Sequence, residues 1–166
     1  MTAGDRDRVP AHLAVVVGFD GSDAALAALE FGLEEARLRG LSLRVVCVWH
    51  YPLTGYIGGG FEPPGPRLGP GEFERAARAE LDATLAELEL GREAVALERR
   101  VREGAAAGVL LDEARDAALL VVGSRGHGGF AGLLLGSVSQ HCVAHAPCPV
   151  VVVHGPAELA QRSGEQ

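Results

Sequence analysis

The chain has 166 residues, 48 % of them apolar, and carries a formal net charge of −7. That length suits one domain with a proper core, and that charge argues against nucleic acid or an anionic membrane as the main partner. All 15 cationic side chains are arginine, which excludes lysine Schiff-base chemistry, a lysine-bearing phosphate loop and a phospho-receiver domain.

Three cysteines, Cys47, Cys142 and Cys148, form no disulfide framework and fit a reducing compartment. The N-terminal MTAGDRDRVPAH lacks the apolar stretch of a secretory signal, and no apolar run reaches the roughly 18 residues of a membrane span. The expectation is a soluble cytoplasmic protein.

Residues 1–12 read as a polar arm, 13–154 as the domain and 155–166 as a polar tail. Leu13 to Gly18 is a short apolar strand, followed by Phe19-Asp20-Gly21-Ser22, where Ser22 or Asp20 caps the next helix. That helix places Leu26, Leu29, Leu33 and Ala36 on one stripe and ends at Gly40. Leu41 to Trp49 is a second strand. A long irregular segment, 51–71, holds most of the prolines and the Gly58-Gly59-Gly60 run; it reads as a loose connection or a functional loop.

Glu72 to Leu90 then shows helical spacing through Phe73, Ala77, Leu81, Leu85 and Leu88. Ala94 to Val101 alternates weakly, as an edge strand does. Ala105 to Ala117 is a helix leading into the apolar run at Leu119. Ser137 to Ala146 is a further helix, and prolines separate it from the last strand, Val150 to Val153. Strand and helix alternate without a hairpin signal, which predicts an α/β fold: one parallel sheet with helices on both faces. Ligands in such sheets bind beyond the strand carboxyl ends where the strand order reverses. If the first and fourth strands are neighbours, Asp20 and Gly123 face one crevice.

The stretch 119–139, LLVVGSRGHGGFAGLLLGSVS, joins a buried strand, a glycine-rich loop and a helix start. Glycines let main-chain amides approach an anion, and a helix N-terminus adds partial positive charge, so this stretch is expected to hold nucleotide phosphates. No GxGxxG follows the first strand, so a dinucleotide fold is not indicated. What stands instead is Gly123, two residues, Gly126, nine residues, then Gly136-Ser137.

This spacing, with the early V-G-x-D-G-S strand end and the closing Cys148-Pro149-Val150-Val151-Val152, resembles the nucleotide-binding branch of the universal stress protein family over about 13–154. The resemblance implies a single Rossmann-like domain of the adenine nucleotide alpha hydrolase type with a five-stranded parallel sheet. It also implies ATP as ligand with a magnesium ion. Gly123, Gly126, Gly136 and Ser137 match phosphate-contacting positions, with Val122, Ser124, Arg125, Val138 and Ser139 alongside. Asp20 matches the acid near the ribose or adenosine, Gly18 sits at the neighbouring strand end, and the main chain of Val48 matches the adenine contact. A homodimer through Val150–Val153 is implied as well.

Each residue also has a plainer reading. The glycines could make a tight loop with no ligand, Asp20 could serve only as a cap, and Arg125 could be solvated. His127 reads as a loop residue, since nothing in the sequence supplies a partner to orient it as a base. His141, Cys142, His145 and Cys148 match no standard zinc spacing, so buried thiols rather than a metal are expected. Four or five charge-assisted donors at about 1.5–3 kcal/mol each reach micromolar affinity, roughly −8 kcal/mol, without a lysine. No catalytic residue is assigned. The reading is an ATP-binding regulatory module; a slow ATPase or nucleotidyl- or phosphoryl-transferring enzyme, and a ligand-free structural dimer, are the alternatives.

Overall fold

The computed structural model describes residues 13–50, 69–88, 95–126, 134–156 and 160. The expected arm 1–12, most of the 51–71 segment, His127 and most of the tail lie outside the described residues. Strand and helix alternate as β1 (Ala14–Phe19), α1 (Asp23–Arg39), β2 (Ser42–Trp49), α2 (Pro70–Glu87), β3 (Leu97–Glu103), α3 (Ala106–Glu113), β4 (Ala117–Gly123), α4 (Ser137–His145) and β5 (Val150–Val153). All strand pairs are parallel, in the order β3-β2-β1-β4-β5.

Period-two alternation in the strands divides the core. Val15, Val17 and Phe19 of β1 join Leu43, Val45, Cys47, Leu119 and Val121 under α1 and α2. Ala14 and Val16 join Val46, Leu120 and Val122 under α3 and α4. Helices therefore cover both faces, as expected for a parallel sheet in which β1, β4 and β5 are apolar throughout. Among the described residues no helix is long and apolar enough to cross a membrane.

Local chemistry sets the boundaries. The Ser22 hydroxyl accepts the Ala25 amide at 3.2 Å and caps α1, while Gly40 closes it at φ 64°, a left-handed conformation that glycine adopts without strain. The face α1 turns to the sheet is made of small residues, Ala24, Ala25, Ala28 and Gly32, beside Leu29 and Ala36; the expected Leu26 and Leu33 are only partly buried. α2 begins at Pro70, two residues before the expected Glu72, because proline suits the first helical position and the Glu72 carboxylate accepts the Gly69 amide at 2.7 Å. β3 runs from Leu97, which pairs with Leu43, and Val95 and Ala96 precede it outside the strand; the expected start at Ala94 lies outside the described residues. A single 3-10 turn, Ala114–Asp116, separates α3 from Ala117, which opens β4 instead of ending the helix.

β2 and β3 lie on one side of β1, and β4 and β5 on the other. The order thus reverses between β1 and β4. Their carboxyl ends, Phe19 and Gly123, flank the crevice where a ligand of such a sheet binds.

Candidate functional site

A cavity of about 420 Å³ opens at that end, on the α3–α4 side of the sheet. Its apolar part is made by Val46, Val48, Ala106, Leu110, Val122 and Val138, and its polar rim includes Asp20, Arg125, Gly126 and Ser137. Of the residues expected from the sequence, Gly18, Asp20, Val48, Val122, Gly123, Arg125, Gly126, Gly136, Ser137, Val138 and Ser139 all border it. Ser124 does not; it is fully buried behind the wall.

The strand register opens the main chain of Val48. The last paired residues of β1 and β2 are Phe19 and Cys47, so Val48 and Trp49 run past the end of β1. Trp49 turns its carbonyl to the β3 side, where it accepts the Gly104 amide at 3.0 Å. Main-chain groups alternate sides along a strand. Those of Val48 therefore face the side where β1 has already ended.

At the other end, Ser124 ties the loop together. Its amide donates to the Val153 carbonyl and its carbonyl accepts the Gly136 amide, both at 2.7 Å. The buried Ser139 hydroxyl lies 2.9 Å from the carbonyls of both Ser124 and Gly136. The amides of Ser124 and Gly136 hold the loop on the β5 end and on α4, and do not face a ligand.

The open donors belong to α4. Its N-cap is Gly136, which supplies no side-chain hydrogen bond, and no acidic residue stands in its first turn. The amides of Ser137, Val138 and Ser139 have no carbonyl within the helix to donate to. Gly136 has φ −75°, which any residue adopts, and an added Cβ would meet nothing closer than 3.5 Å. Neither conformation nor space demands glycine there. Its absence of a side chain leaves the positive end of α4 without a side-chain cap beside the cavity, among the described residues.

α1 differs. The Asp20 carboxylate accepts the Ser22 amide at 3.1 Å and the Ser22 hydroxyl at 2.6 Å, so Asp20 holds the residue that caps α1. Its second oxygen faces Gly126, where a Cβ would collide with it. An added Cβ on Gly123 would meet the Ala24 carbonyl carbon at 2.9 Å and the Ala25 amide nitrogen at 3.0 Å. Gly18 packs against Leu110, whose Cδ1 would lie 2.9 Å from a Cβ. Gly123 is held to glycine by main-chain atoms, whereas at Gly18 and Gly126 the neighbouring side-chain ends of Leu110 and Asp20 could shift.

Phe19, Ala25, Val46, Ala106 and Leu110 also line the cavity and were not expected from the sequence. The same-face spacing of Val46 and Val48 on β2 was a usable signal for one of them. Burial, with the charges of Glu80 and Asp20, pushes the Cys47 thiol up to about 11, so it is protonated at neutral pH. Burial also raises Cys142, with a smaller effect of Cys148, and raises Cys148 itself. Among the described residues no three His, Cys, Asp or Glu side chains converge as metal ligands.

Residues 13–154 match the model of the universal stress protein family. A universal stress protein of Mycolicibacterium smegmatis is 41 % identical over 144 residues, which cover 86 % of this chain and 46 % of that protein. The chain spans about half the length of the curated relatives it matches. A universal stress protein solved in complex with cAMP is 28 % identical with a TM-score of 0.54, over 88 % of this chain and 99 % of that one. The universal stress protein of Archaeoglobus fulgidus solved with dAMP shares the fold at 23 % identity and a TM-score of 0.60, over 87 % of this chain and 99 % of that one. This sheet order and the match across 13–154 agree: the chain belongs to the universal stress protein family.

Proposed function

We propose that this chain binds an adenine nucleotide, ATP with magnesium, in the cavity between β1, β4 and α4, and acts as a nucleotide-dependent regulatory domain. The observation that carries the reading is the uncapped N-terminus of α4 at one end of a cavity whose other end is apolar and edged by the Val48 main chain. A phosphate satisfies the first, and adenine the second. The relative solved with cAMP supports the chemistry, since cAMP carries both an adenine and a phosphate.

In this reading Ser137, Val138 and Ser139 donate main-chain N–H groups to phosphate, Arg125 and the Gly126 main chain flank it, and Asp20 sits on the ribose side of the cavity. Magnesium bound with the nucleotide would offset phosphate charge. Ser124 and the Ser139 hydroxyl shape the loop. The half-buried apolar edge strand β5, Val150–Val153, pairs with a second copy to form a homodimer. The domain spans 13–154 and works in the cytoplasm.

Mass spectrometry of small molecules released by denaturing freshly purified protein tests the reading. An adenine nucleotide released from the wild type and depleted from Gly136→Asp supports it. A protein released free of nucleotide that also fails to take up ATP and magnesium contradicts it.

A further inference from the structure

His141 and His145 stand one turn apart on the outer face of α4, away from the cavity, and both are exposed. Their ring centroids lie 4.5 Å apart with the planes tilted by 53°. Among the described residues neither ring makes a hydrogen bond or an ion pair. Two imidazoles sharing one ion at about 2.1 Å place their ring centres roughly 4.6 Å apart at a right angle and roughly 5.3 Å apart at the tetrahedral angle. The rings stand on one helix face close to the short end of that range, within a small side-chain rotation of sharing an ion, and neutral imidazole suits the later first-row divalent metals.

We propose that His141 and His145 form a surface site for a transition-metal ion of the Zn²⁺, Ni²⁺ or Cu²⁺ class. The helix supplies two ligands and water completes the coordination, so the site is open and exchanges metal readily. Cys142 contributes nothing, because it is fully buried in the core. A bound ion bridges one turn of α4 and stabilises that helix over its frayed alternatives. The inference does not depend on nucleotide binding.

The test is calorimetric titration of the tag-free, chelator-treated chain with ZnCl₂ and with CuCl₂, alongside thermal unfolding with and without metal. Wild type should show one binding event and a rise in melting temperature. His141→Ala and His145→Ala should each weaken that event by roughly tenfold or more. Both substitutions are at exposed helical positions, so the unliganded proteins should melt close to wild type. Cys148→Ser should bind like wild type. Unchanged affinity in the double alanine variant, no binding by wild type, or a loss in Cys148→Ser equal to that in the histidine variants would each overturn the assignment.

Discussion

The Gly136 amide donates to the Ser124 carbonyl at 2.7 Å, bringing the start of α4 back onto the end of β4 across the glycine loop. Through the Ser124 amide the same residue holds the Val153 carbonyl, so β4, α4 and β5 meet at one buried serine. The closure aims the first turn of α4 at the cavity. It also shows that the glycine motif has two tasks, packing and exposure of amides, carried by different positions.

Gly136→Asp separates the two. An aspartate N-cap should stabilise α4 by a few tenths of a kcal/mol over glycine, because its carboxylate can accept a first-turn amide. The same carboxylate occupies the proposed phosphate position and repels an anion. Thermal melts should show the free variant at least as stable as wild type, with the ATP-induced shift lost.

Gly123→Ala should act oppositely. The new Cβ meets main-chain atoms of Ala24 and Ala25, which cannot swing aside as a side-chain tip could. A loss of about 1–3 kcal/mol is expected in urea unfolding of the free protein. Substitution at Gly123 therefore probes folding before it probes ligand.

Ser139→Ala removes a buried hydroxyl that serves the carbonyls of Ser124 and Gly136. The Gly136 amide still reaches Ser124, so the loop stays closed. A loss of about 1 kcal/mol is expected from denaturant midpoints. Ser139→Thr, which keeps the hydroxyl, should recover part of it if the core admits the added methyl.

Arg44 offers a test away from the site. Its buried guanidinium donates to Glu98 at 3.0 Å, to Asp116 at 2.8 Å and to the Glu113 carbonyl at 3.2 Å. The hydrogen bond from Arg44 holds the Asp116 carboxyl below its ordinary value; for Glu98, partial burial pushes upward but Arg44 and Arg100 together outweigh it. Depressed carboxylates stabilise the fold above their unfolded values and lose that contribution as pH falls through the folded ones. Stability should therefore drop below about pH 4, and Arg44→Met should flatten that drop. At neutral pH the variant should lose about 2 kcal/mol in urea unfolding, less than a fully buried pair, because both carboxylates reach solvent.

Much of the architecture was legible because it rests on local signals. Apolar β-branched runs marked the strands, Ser22 and Gly40 marked the limits of α1, and the absence of hairpin turns meant a parallel sheet. The glycine spacing brought Gly123, Gly126 and Gly136 to one cavity. Contact-dependent features were hidden. The sheet-facing side of α1 is built from alanine and glycine, so a pattern read from leucines alone was rotated off it. Arg44 sits in β2 like any strand arginine, and only the fold shows that Glu98 and Asp116 converge on it. Ser124 looked like a ligand contact by its neighbours in the motif, yet its polar main chain is used to join three elements.

Calorimetric titration of the full chain with ATP and magnesium tests most directly whether the open end of α4 receives phosphate. The account predicts saturable binding to one site per chain, abolished in Gly136→Asp while that variant remains folded. Equal binding by wild type and Gly136→Asp, or no binding by a folded, nucleotide-free wild type, would contradict it.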